Sequence, residues 1–229
     1  ETICKERVVT KTQQICRIDY ENVVALDQSM ESELLARVEE LGEQSKAIIL
    51  EDYGKGVLTK RVLQQLISKH REAKNLVCVD PGRQTPPDFY RGASLLKPNL
   101  DEAMQMVHYF GYKDGPLEEM AAILLDKLSL DMVLITLGAD GMAMLDRDNG
   151  ELKIIPTAAT EVYDVSGAGD TAIALITASL LAGASLEEAA WIGNCASGVV
   201  IAKRGTATVT RSELDNFYLR LQETLQANQ

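Results

Sequence analysis

At 229 residues and 46% apolar composition, the chain suits one large domain, or one domain with a small appendage, around a sizeable core. Aromatic residues are sparse while Ala, Leu, Ile and Val abound, which favours helices layered on a buried parallel sheet over an all-β sandwich. With 34 acids against 23 bases the formal net charge is −11, so the surface repels a phosphate backbone and nucleic acid is excluded as a partner, although a few local bases and backbone N–H groups can still hold one small anion.

In chain order, Arg7-Val8-Val9-Thr10 and Gln14-Ile15-Cys16-Arg17-Ile18 predict a two-stranded ribbon within residues 1–20. An acidic amphipathic helix follows over about Ser29 to Leu41. Lys46 to Leu50 reads as a buried strand, and Val57 to His70 as a helix with Val62, Leu63, Leu66 and Ile67 on one face. Leu76 to Val79 is a strand and Ser94 to Leu96 a short one; helices start near Asn99 and span about Leu117 to Leu128. Met132 to Ile135 is a strand, and Met142 to Leu145 should pair with Leu152 to Ile155 across a turn from Asp146 to Gly150. Ala168 to Leu181 is a helix closed by Gly183, Ser185-Leu186-Glu187-Glu188 is a capping box opening the next, and the last runs over about Ser212 to Leu225. Repeated βα units imply an α/β fold, a mostly parallel sheet covered by helices on both faces.

Cys4, Cys16, Cys78 and Cys195 lack paired metal-ligand spacing and read as small hydrophobes of a reducing, cytoplasmic setting. His70 and His108 stand alone on helices, where solvated or core roles suffice. No apolar run approaches the ~18 residues of a membrane span, and no signal peptide is visible.

The strongest signal is Asp164-Val165-Ser166-Gly167-Ala168-Gly169-Asp170-Thr171, directly before an apolar helix. Two glycines at a helix start let the backbone approach a ligand and aim free N–H groups at one point, where the helix dipole favours an oxyanion or phosphate. An acid in a first helical turn is also simply a good N-terminal residue, which accounts for Asp170 alone but not for the glycines and hydroxyl beside it. Gly167-x-Gly169-x-x-Ala172 fits the loose dinucleotide fingerprint as well, but the acids about 20 residues on, Glu187 and Glu188, open a helix instead of closing a strand. No G-x-x-x-x-G-K-[ST] phosphate loop occurs.

That octapeptide resembles the C-terminal signature of the ribokinase-like (PfkB) carbohydrate kinases. Lys97-Pro98-Asn99-Leu100-Asp101-Glu102 is similar to the family's N-x-x-E segment, Thr136-Leu137-Gly138-Ala139-Asp140-Gly141 to its nucleotide-side T-x-G-x-x-G loop, and Asn194 before Cys195-Ala196-Ser197-Gly198 to its adenine-side helix. A narrower resemblance, to kinases of heptose 7-phosphate in ADP-heptose and lipopolysaccharide synthesis, rests on Thr12 to Asp19, Glu51-Asp52-Tyr53-Gly54-Lys55-Gly56, Asp80-Pro81, Tyr90-Arg91-Gly92-Ala93 and Glu161 to Val165. Arg83 stands where those kinases carry Lys, and the family's opening βα units and Gly-Gly…Asn sugar-binding segment have no counterpart. The expectation is an N-terminally truncated kinase that begins inside its lid.

The resemblance implies a ribokinase-like three-layer αβα body over 21–229 with the remnant of a small β lid over 1–20. It implies ATP and Mg²⁺ as cofactors and a small sugar phosphate as partner. Asp170 would be the base that activates the sugar hydroxyl, and the N–H groups of Gly167, Ala168 and Gly169 would face the transferred phosphoryl group. Asn99 and Glu102 would organise Mg²⁺ through water, Thr136 and Gly138 would line the ATP phosphates, and Gly141 and Asn194 would lie toward the nucleoside. Asp52, Lys55, Asp80 and Arg83 would serve the sugar phosphate. Simpler roles stand beside these: a helix cap for Asn99, a hairpin turn for Gly138 and Gly141, solvated side chains for Lys55 and Arg83. A kinase for another sugar phosphate or for a nucleoside, and a non-catalytic nucleotide-binding module, remain alternative readings. The lid strand at the chain start offers an edge that a second copy could cover in a homodimer.

Overall fold

The computed structural model describes residues 3–10, 13–159 and 161–227. Strands β1 (Cys4–Val9) and β2 (Gln14–Tyr20) form an antiparallel ribbon. The main sheet holds β3 (Ala47–Glu51), β4 (Leu76–Asp80), β5 (Leu95–Leu96), β6 (Met132–Thr136), β7 (Met142–Asp146) and β8 (Lys153–Ile155), side by side in sequence order. The first four run parallel, β7 turns back antiparallel to β6, and β8 returns antiparallel to β7. The register Met142↔Ile155, Ala143↔Ile154, Met144↔Lys153 realises the expected hairpin.

The strands read as continuous apolar runs because both faces are covered. Val77, Val79, Leu96, Val133, Ile135 and Leu145 point into one core, and Cys78, Leu95, Leu134, Met142 and Met144 into another. The first core is roofed by α2 (Lys60–Glu72), α3 (Leu100–Tyr109) and α4 (Leu117–Lys127), with α1 (Gln28–Gly42) packed outside α2. The second lies under α5 (Ala168–Leu181) and α6 (Leu186–Ile201), with α7 (Arg211–Ala227) against α6. Helix, sheet and helix make the three layers.

Most elements fall where periodicity puts them, and the differences have local causes. Helix α2 starts at Lys60 and not at Val57, because Gly56 sits at φ +87° and the Thr59 hydroxyl caps the helix by accepting from Val62 N at 3.3 Å. Helix α4 ends at Lys127, with Leu128 as its cap and Ser129 turning out at φ +52°. The expected capping box at Ser185 forms, and Gly183 closes α5 in a left-handed conformation at φ +91°. The expected stretch Thr12 to Asp19 lies partly outside the described residues.

Cross-strand partners in the ribbon share a face. Cys4, Val8, Cys16, Ile18 and Tyr20, with Glu6, therefore line one side, and Lys5, Arg7, Arg17 and Asp19 the other. Both sides are exposed.

Candidate active site

In a parallel sheet, loops leaving the C-terminal strand ends gather ligands. Here Glu51 closes β3, Asp80 closes β4, Lys97 follows β5 and Thr136 closes β6. The signature loop brings the N-terminus of α5 over the same edge. Gly167 takes φ +80°, a conformation open to glycine, and so turns the chain into the helix. The Asp164 carboxylate braces the loop by accepting from Ser166 N at 2.9 Å, and that backbone donor holds its carboxyl below the usual range. The N–H groups of Gly169 and Asp170 have no protein acceptor among the described residues. Ala168 N–H, expected to face a phosphoryl group, donates to Val165 O at 3.2 Å instead.

Asp170 is exposed in this first turn, and Tyr53 donates its hydroxyl to Asp170 Oδ2 at 2.8 Å. Oxygens of Glu51, Asp80 and Asp170 all lie within 4.8 Å of one another. Lys97, 3% exposed, ion-pairs with Asp80 Oδ2 at 2.6 Å. Gly169 passes so close that a Cβ there would stand 3.4 Å from Asp80 Oδ2 and 3.6 Å from Lys97 Nζ. Burial, reinforced by the Asp80 and Asp170 charges, pushes the Glu51 carboxyl up to about 8. Burial also raises Asp80, against the pull of Lys97.

On the far side of the Gly169 turn is a cavity of about 460 Å³. Thr136, Gly138, Gly141, Ala168, Gly169 and Asn194 all reach its wall, so the structure brings the expected nucleotide-side residues together. Gly138 opens the expected turn between β6 and β7 at φ +62°. Gly141, at φ +95°, runs against the strand-exit backbone; a Cβ there would lie 2.0 Å from Ile155 O. Asn194 is 4% exposed and spends its amide on that segment, accepting from Ala158 N at 3.2 Å and donating to Pro156 O at 2.7 Å. It shapes the wall through the backbone.

Asn99 and Glu102 form a reciprocal capping box, with Asn99 Oδ1 accepting from Glu102 N and Glu102 Oε2 accepting from Asn99 N, both at 2.9 Å. The simpler reading of Asn99 is thus realised. A bridge between Asn99 and Thr136 sets this box beside the cavity, and burial raises the Glu102 carboxyl.

The sugar-side candidates are dispersed. Asp52 is 8% exposed, and its carboxylate accepts from Gly54 N at 2.8 Å, Thr85 Oγ1 at 2.7 Å and the buried Tyr90 hydroxyl at 2.6 Å, so it ties loops together. Lys55 pairs with Glu21 at 2.6 Å. Arg83 is exposed and, with the Gln105 amide turned to accept, donates to it from Nε and Nη2 at 3.2 Å. Asp80 alone of the four faces Asp170. Sequence reasoning gave no role to Glu51, Tyr53 or Lys97; for Glu51 and Lys97 the signal was an acid or base at the end of an apolar strand run.

The signature also lies outside a dinucleotide-type turn. Residues 156–163 separate it from β8, a strand at the sheet edge paired antiparallel to β7, whereas that fingerprint opens the first parallel βα unit.

A fold of this topology, with a glycine-paired helix start over the strand ends, defines a ribokinase-like phosphotransfer scaffold, and residues 2–213 match the model for the pfkB family carbohydrate kinases. The chain belongs to that family. It is 40% identical over 215 residues to a protein of Edwardsiella ictaluri described as bifunctional protein HldE, covering 94% of this chain and 44% of that one. The corresponding figures for bifunctional protein HldE of Wolinella succinogenes are 39% over 217 residues, 94% and 45%. The chain thus spans less than half the length of these curated relatives. Among solved structures, phosphofructokinase-2 of Escherichia coli in complex with potassium superposes with a TM-score of 0.75 at 20% identity, covering 90% of this chain and 67% of that one. Arabidopsis thaliana ribokinase complexed with ribose and ATP gives 0.67 at 20% identity, covering 84% and 59%. At such identities these two establish the fold alone.

Proposed function

We propose that this chain carries the kinase activity of a heptose 7-phosphate kinase, transferring the γ-phosphoryl group of ATP to the anomeric hydroxyl and giving heptose 1,7-bisphosphate and ADP. One observation carries the reading. Asp170 stands at an anion-favouring helix start, beside the uncommitted Gly169 and Asp170 N–H groups, and its neighbour Gly169 lines a cavity together with Thr136, Gly138 and Gly141. The similarity to HldE proteins over nearly the whole chain supports heptose over other sugars.

Asp170 takes the proton of the attacking hydroxyl as its oxygen bonds to the γ-phosphorus, and the bond from that phosphorus to the β–γ bridging oxygen breaks. The N–H groups of Gly169 and Asp170 face the charge on the transferred group, an effect typically worth ~3 kcal/mol per donor. The cavity's small-residue walls fit a nucleotide. The second oxygen of Glu102 fits Mg²⁺ held through water, a cation that keeps much of its hydration shell, and whose chemistry is to neutralise phosphate charge. Asn99 then acts by fixing Glu102. A cytoplasmic setting, where ATP is available, accords with this chemistry, and among the described residues no helix is long and apolar enough to cross a membrane.

The test is Asp170→Asn in the native-length protein. Turnover with heptose 7-phosphate should fall at least ~10²-fold, the scale of general-base loss, while nucleotide affinity holds. Near-normal turnover would overturn the assignment. Equal turnover on fructose or tagatose phosphates would transfer it to another sugar kinase.

A further inference from the structure

We propose that Tyr53 is a positioning residue for the phosphoryl-transfer base, fixing which Asp170 oxygen faces the acceptor hydroxyl. The inference rests on Asp170 being that base.

The geometry begins with a carboxylate that has two equivalent oxygens and a side chain free to rotate on an exposed helix turn. Tyr53 stands 117 residues away in sequence, on the loop after β3, and donates to Oδ2 at 2.8 Å. One oxygen is thereby occupied and the other is left to accept the sugar's proton. Without such a tether the carboxylate would share its time among rotamers, and a misplaced base loses much of its effect.

A phenol suits this place for an electrostatic reason. Glu51 and Asp80 already crowd Asp170, and Lys97 is spent on Asp80. A second cation on Asp170 would fix it but also lower its appetite for a proton. A neutral O–H donor orients the carboxylate and leaves its charge intact. Partial desolvation of its hydroxyl, then the hydrogen bond to Asp170, hold the Tyr53 proton on above the ordinary phenol range, so it stays a donor across any working pH even though most of the ring is exposed.

The loop is built to hold the residue there. Gly54 N–H donates to Asp52 Oδ1 at 2.8 Å, in the turn immediately after Tyr53, and Asp52 is anchored in turn by the Thr85 and Tyr90 hydroxyls. Gly56 takes φ +87°, and a Cβ there would stand 2.4 Å from Val24 O, so the strap is pinned at both ends. Tyr53 itself is 66% exposed, so its ring contributes little to the core.

The experiment is a double-mutant cycle with Tyr53→Phe and Asp170→Asn in the native-length protein. Tyr53→Phe should lower kcat about 5- to 20-fold, keep KM for ATP within twofold, and leave the melting temperature unchanged. In the Asp170→Asn background the same substitution should change kcat less than twofold, because no base remains to be aimed. An undiminished kcat in Tyr53→Phe, or an equal loss in both backgrounds, would overturn the inference while leaving the kinase reading intact. A lack of effect from Asp170→Asn alone would instead remove the reading on which it stands. Tyr53→Leu, which also deletes the hydroxyl, provides a second variant with the same expected coupling.

Discussion

Three carboxylates whose oxygens lie within 4.8 Å cannot all be charged at little cost beside one ammonium group. Two like charges at ~4 Å repel by about 4 kcal/mol at an effective dielectric of 20. Glu51 resolves the conflict by holding its proton, with its carboxyl raised from 4.5 to about 8 chiefly by burial. The native state then binds this proton more tightly than the unfolded chain, so the stability it contributes is complete below the unfolded value and is lost as pH rises through about 8. Melting temperature should therefore decline between roughly pH 4.5 and 8, and Glu51→Gln should flatten that decline and raise the melting temperature at pH 8. A pH series of thermal melts on both proteins checks it; parallel curves would refute the protonation. Sequence made Asp170 legible, because glycines and a helix start define its place, but could not show the cluster: Glu51 with Tyr53, then Asp80, then Asp170 come from three distant stretches and meet only once β3 and β4 lie side by side under the start of α5.

At the scale of elements, the wall of the cavity proposed to take the nucleotide is held from behind by α6. Gly193 and Gly198 let that helix close on its neighbours: a Cβ at Gly193 would stand 2.6 Å from Ile176 Cγ1 and one at Gly198 2.8 Å from Phe217 Cζ. Ser197 adds a hydrogen bond to Ala168 O at 2.9 Å, tying α6 to the first turn of α5. Asn194 then fixes residues 156–158 from within the core. Asn194→Ala would leave Ala158 N–H without its buried acceptor, at a cost of about 1–3 kcal/mol. It should raise KM for ATP several-fold with a smaller change in kcat; an unchanged KM would mean that this strand exit does not shape the nucleotide pocket. Strand and helix periods located all of these elements, because burial on both faces and the capping boxes are written in local pattern. The partners of Asn194 were not legible. An amide in a small-residue helix can face a ligand or a backbone, and only packing distinguishes the two.

On the scale of the molecule, the ribbon stands apart from the economy of the body. A lone two-stranded ribbon is marginal in water, yet β1 and β2 leave Val8, Ile18 and Tyr20 exposed, together with Cys4 and Cys16, on a shared face. We propose that a second copy covers this face, making a homodimer. Light scattering should give twice the protomer mass, and Ile18→Lys should shift the balance toward monomer without altering the far-ultraviolet spectrum; a monomeric native protein would refute it. The three-layer architecture was readable from alternating elements alone, whereas the fate of the ribbon was not, since a strand pair exposed on both faces carries no periodicity that names its cover. The clamp at Asp52 also joins two strand exits. Gly82 lies so near that a Cβ there would stand 2.8 Å from Asp52 O, and its N–H donates to the Tyr90 hydroxyl at 2.9 Å, which in turn donates to Asp52. The connections leaving β3 and β4 are thereby joined into one arm, so a displacement of the turn that carries Tyr53 would be passed on to the turn that carries Arg83.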